Sequence, residues 1–111
     1  MISRLRLVWL LIAATPGLAA NAARAADLAA GRQKAVPCAV CHGPLGLAVA
    51  MDAPHLAGQS AQYVSTQLRA YRSGARKHEV MSLMAKPLSD ADIDDLAAWF
   101  AALKVSVQSP P

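Results

Sequence analysis

The sequence predicts an all-α domain with three main helices and long loops. Three observations carry this. Three segments pair helix caps with apolar residues at helical spacing. No run alternates apolar and polar residues for long enough to make a strand. The stretch from Gly43 to Gln59 holds Gly43, Pro44, Gly46, Pro54 and Gly58, which suit turns.

The first helix is expected from Asp27 to about Val36. Asp27 is its N-cap, the alanines favour helix, and Pro37 stops it. Gly31 stands in its middle, where it costs about 1 kcal/mol relative to Ala. A helix crossing closely at that point would explain it.

The second helix is expected from about Ser60 to Ser73, capped by Ser60 and closed by Gly74. Val64, Leu68 and Tyr71 fall on one face. Arg69, Arg72, Arg76 and Lys77 gather at its C-terminal end, where cations suit the helix dipole.

The third helix follows Ser89. Asp90, Asp92, Asp94 and Asp95 load its N-terminal part with negative charge. Ile93, Leu96, Ala97, Phe100 and Leu103 form one apolar stripe, with Trp99 beside it. Between the second and third helices, EVMSLMAKPLSD reads as an extended segment. The tail after Lys104 is expected to fray.

The N-terminus reads as an export signal. Arg4 and Arg6 form a basic head, and Leu7 to Ala14 is an apolar run. Thr15, Pro16 and Gly17 break it. Two small-x-small sites follow, Ala20-Asn21-Ala22 and Ala23-Arg24-Ala25. Cleavage is expected after Ala25, giving a signal peptide over 1–25 and one domain over 26–111. The alternative is an uncleaved anchor. Leu7 to Ala23 is only 17 uncharged residues, interrupted by Pro16 and Gly17.

Removing residues 1–25 takes away Arg4, Arg6 and Arg24. Eleven basic residues become eight against seven acidic ones, so the formal charge falls from +4 to +1. Nothing then argues for nucleic-acid binding, and no membrane span remains in the processed form. The remaining 86 residues hold one Phe, two Tyr and one Trp. A core that thin calls for a staple such as disulfides, a metal or a cofactor.

Both cysteines lie in Cys38-Ala39-Val40-Cys41-His42. A structural zinc site needs four ligands, and there is no second cysteine pair. His55 and His78 are 23 residues apart, which is not finger spacing. A thioredoxin-like dithiol would open a helix after a strand, whereas this motif follows a helix and enters a Gly/Pro loop. Covalent haem explains more. The two thiols add to the two haem vinyl groups, and the adjacent His42 becomes an axial iron ligand. The cofactor is expected to be one covalent haem c, attached to the exported chain.

A second axial ligand from Met makes a low-spin electron-transfer centre of raised potential. Met51 lies only nine residues beyond His42, a short tether for reaching the opposite haem face. Met81 and Met84 are better placed, and one of them is expected to be a gap-filler. His55 and His78 are expected at the surface.

The stretches AAGRQKAVPCAVCHG, PHLAGQSAQYVSTQLRAYRSGAR and VMSLMAKPLSDADIDDLAAWFAAL cover nearly all of the processed chain. They resemble a class I bacterial cytochrome c, found singly or as each half of periplasmic dihaem cytochromes. The resemblance implies Met81 as the axial partner of His42, with Met84 as runner-up. It implies that the Pro54 carbonyl accepts a hydrogen bond from His42. Gly31 would meet the third helix near Trp99, Leu56 and Leu68 would pack on haem, and Gln59 and Arg76 would reach the propionates.

The sequence departs from that family in GPLGLAVAMDAP, which is apolar where the family is polar. This loop is either repacked inward or a docking patch beside the haem edge. The expected function is one-electron transfer in the periplasm, between a dehydrogenase or respiratory complex and a terminal acceptor, without substrate turnover. The alternatives are a haem sensor with an open iron site, and a haem subunit of a periplasmic dehydrogenase complex.

Overall fold

The structure, a computed structural model, describes residues 24–111. Most of the expected signal, residues 1–23, lies outside the described residues. Five helices follow in order: α1 (Leu28–Lys34), α2 (Ala39–His42), α3 (Ala61–Ser73), α4 (Glu79–Ala85) and α5 (Asp90–Ala102). No strand occurs among the described residues. None of these helices is long and apolar enough to cross a membrane.

The three main helices start where their caps place them. The Asp27 carboxylate accepts from the Ala29 and Ala30 N–H groups, and the Ser60 hydroxyl accepts from Tyr63 N–H. At α5 the cap is reciprocal. Ser89 Oγ accepts from Asp92 N–H at 3.1 Å, and Asp92 Oδ2 accepts from Ser89 N–H at 2.9 Å. Lys34 of α1 adds an ion pair to Asp92 at 3.0 Å. Together these partners hold the Asp92 pKa down at about 2, the Ser89 N–H contributing most.

Helix α5 is the centre of the packing, in contact with α1 on one side and α3 on the other. Its stripe is buried as the spacing requires: Ile93, Leu96, Ala97 and Phe100 are in the core. Val64 of α3 and Ala35 join them, and Leu56, Leu68, Leu88, Trp99 and Leu103 pack around the margin. Gly31 is where α1 crosses α5. A Cβ there would lie 2.1 Å from the Asp95 carbonyl oxygen and 2.9 Å from Trp99 Cβ. Only glycine lets the two backbones come this close.

Two elements differ from the sequence expectation. EVMSLMA is not extended but forms α4, packed against α3. Its N-cap is His78, whose Nδ1 accepts from the Val80 and Met81 N–H groups at 3.2 Å each. The cysteine motif itself coils into the short α2, too brief for any periodicity.

Asp95, one of the four aspartates of α5, is buried, at 1% exposure. Asp90 and Asp94 face outward, and Asp92 is half-buried beside Lys34 of α1. Asp94 pairs with Arg69, and Asp90 with Arg72. The α3 arginines therefore bind α5 to α3 as well as complementing the end of their own helix.

Candidate haem-attachment site

The site is built on α2 and the loop that follows it. Cys38 is the residue before α2, and Cys41 lies within its single turn. Both are half-buried and not joined to each other. Burial pushes the Cys38 thiol up from its ordinary pKa. A redox dithiol needs the opposite shift, so the thiolate can attack.

His42 closes α2 and is buried, at 6% exposure. Its Nδ1–H donates to the Pro54 carbonyl at 2.9 Å. A carbonyl can only accept, so Nδ1 carries the proton. Nε2 is therefore left with its lone pair, as a metal ligand requires.

The Pro54 carbonyl is held by a small bracket. Leu56 and Ala57 N–H both donate to the Gly46 carbonyl, at 2.7 and 3.0 Å. Ala48 N–H donates to His55 Nδ1 at 2.7 Å. His55 is exposed, as expected, yet it ties the apolar loop to the segment supporting His42. No local sequence pattern marks this link, which joins residues seven apart across a turn.

Met81 and Met84 both lie on α4. Met81 is half-buried, whereas Met84 is exposed. Leu56 and Leu68 sit half-buried at the core margin. Gln59 is exposed. Arg76 donates to Gln67 Oε1 at 2.6 Å and lies over the Tyr71 ring at 4.7 Å. The loop residues Leu45 and Leu47 are 61% and 53% exposed, and Val49 and Met51 are more exposed still. These side chains take no part in the core that the protein builds from its own residues.

The donor set fits a c-type haem: two unpaired thiols one turn apart, an adjacent imidazole of fixed tautomer, and a thioether on a separate helix. No group of three or more His, Cys, Asp and Glu side chains is gathered for another metal among the described residues.

Comparison with known proteins agrees. Residues 22–104 match the family model described as Cytochrome c. Cytochrome c-554(548) of Halomonas halodenitrificans is 44% identical over 81 residues, covering 70% of this chain and 98% of that protein. A protein of Thiomonas intermedia named thiosulfate dehydrogenase electron acceptor is 44% identical over 87 residues, covering 78% of this chain and 40% of its own. The crystal structure of reduced recombinant cytochrome c4 from Pseudomonas stutzeri superposes with a TM-score of 0.69 at 39% identity. That match covers 75% of this chain and 48% of the other. The chain thus spans less than half the length of the last two. It belongs to the cytochrome c family of electron-transfer proteins, whose cofactor is covalent haem c.

Proposed function

We propose that the chain is an exported one-electron carrier with a single haem bonded to Cys38 and Cys41. His42 and Met81 would hold its iron. It passes electrons between a protein donor and a protein acceptor in the periplasm and turns over no substrate. The observation that carries this is buried His42, directly after Cys41, with Nδ1–H committed to Pro54 at 2.9 Å.

Each residue has a definite part. The thioethers of Cys38 and Cys41 keep the cofactor from dissociating. The Pro54 carbonyl fixes the imidazole ring and makes Nε2 more electron-rich. Met81 is favoured over Met84 because it is the less exposed of the two on α4. Leu56 and Leu68 exclude water from the haem faces. Arg76 gives one donor to Gln67 and has others free for a propionate, and Gln59 offers its amide. Haem supplies the reversible one-electron change of its iron. Constant ligation by His42 and Met81 keeps the rearrangement on electron transfer small.

The visible spectra of the oxidised and reduced holo-protein test this reading. Low-spin iron with a methionine-to-iron charge-transfer band is the expected result. High-spin iron that takes up carbon monoxide readily would instead assign an open-site sensor. A second reading, the resident acceptor of a dehydrogenase, is favoured by the relative named thiosulfate dehydrogenase electron acceptor. Stable co-purification with an oxidoreductase would select it over a free shuttle.

A further inference from the structure

Asp95 is a buried carboxylate that the haem site does not use. It receives three donors. Arg24 Nη1 reaches Oδ1 at 2.9 Å, Arg24 Nη2 reaches Oδ2 at 3.2 Å, and Asp27 N–H reaches Oδ1 at 2.8 Å. The arrangement is the two-pronged fit of guanidinium to carboxylate. Arg24 is 53% exposed at its side chain and Asp95 only 2%. The cation reaches water, and the anion relies on the cation.

No other bonded cation serves Asp95 among the described residues. Lys34 of α1 pairs with Asp92 and acts on Asp95 only through space. The Asp27 carboxylate is occupied with the N–H groups of Ala29 and Ala30. The pair is only half-buried, so losing Arg24 costs less than breaking a fully buried pair, but it leaves the Asp95 carboxylate with the Asp27 N–H as its one remaining hydrogen-bond donor among the described residues.

This bears on where the leader ends. Cleavage after Ala25 would discard Arg24. Cleavage at the upstream small-x-small site, Ala20-Asn21-Ala22, would retain it as the second residue. We infer that a signal peptidase cuts between Ala22 and Ala23, so that Arg24 stays as the counter-ion of Asp95. Water adds across the Ala22–Ala23 bond, leaving a carboxylate on Ala22 and an ammonium on Ala23.

Cutting after Ala25 would place a new α-ammonium one residue before the Asp27 N–H. That group would be a poorer partner. It loses its proton at about pH 8, whereas arginine stays charged. The two cuts therefore differ in mass and in their response to alkali.

The inference rests on the export reading, and one experiment separates their failures. The full chain is expressed in a bacterium that attaches c-type haem, and the holo-protein is recovered and weighed intact. A chain beginning at Ala23 is the expected result. A start at Ala26 overturns the inference but leaves export standing. Retention of the leader overturns both. A second arm uses Arg24→Gln and Arg24→Lys, each carrying the same leader. The Gln variant should show a lowered thermal midpoint and the Lys variant a partial recovery. Asp95→Asn should lower the midpoint too, with the Gln/Asn double variant falling less than the sum of the singles. Wild-type midpoints in Arg24→Gln would overturn the role assigned to Arg24.

Discussion

Gly31 of α1 faces the main-chain carbonyl of Asp95 in α5 across a gap too small for one methyl group. A Cβ there would come within 2.1 Å of the oxygen. Two effects compete in Gly31→Ala. Alanine improves helix propensity by about 1 kcal/mol. Overpacking in a tight interface costs about 1–3 kcal/mol, and a backbone atom cannot rotate away. We expect a net loss of stability, read as a lower denaturant midpoint. A stabilised variant would show that α1 can shift along α5.

Acid should destabilise the fold through the N-terminal carboxylates of α5. Asp92 titrates at about 2 when folded and near 3.9 when unfolded. The unfolded chain therefore binds more protons between these values, and stability rises with pH there. The contribution is complete above about pH 4 to 5 and is lost as pH falls towards about 2. Asp90, held by Arg72, and Asp95, held by Arg24, are lowered in the same direction. Chemical denaturation from pH 2 to 6 should show this slope, and Asp92→Asn should make it shallower.

The two α4 methionines should separate cleanly. Met81→Ala is expected to abolish the methionine-to-iron band, and Met84→Ala to leave it intact. The difference in exposure supports this order. Loss of the band only in Met84→Ala would transfer the axial role to Met84.

The α5 stripe and its cap were legible because both are local. Ile93, Leu96, Ala97 and Phe100 repeat at helical spacing, and Ser89 with Asp92 forms a cap within one turn. The cysteine motif was legible because its chemistry needs adjacent residues. Helix α4 was misread as extended because its cap is His78, outside the usual Ser, Thr, Asp and Asn set. The helix has only seven residues, too few to establish a helical period in the sequence. The burial of Asp95 was hidden for another reason. Its partner Arg24 lies 71 residues away, and no local pattern distinguishes Asp95 from Asp90, Asp92 and Asp94.

The exposed loop offers the last test. Leu45 and Leu47 are 61% and 53% exposed and contribute little to the fold's own core. Changing both to Asp should alter stability by no more than about 0.5 kcal/mol per site, as is usual for surface positions. If the loop borders the haem edge used for docking, it also lies in the contact between two copies exchanging an electron. Like charges placed there would repel on approach, more so at low salt. The self-exchange rate, read from NMR line widths in mixtures of oxidised and reduced protein, should therefore fall and recover as salt is added. An unchanged rate in a stably folded variant would place the docking surface elsewhere. A lost midpoint would instead show that the apolar loop packs against the bound cofactor.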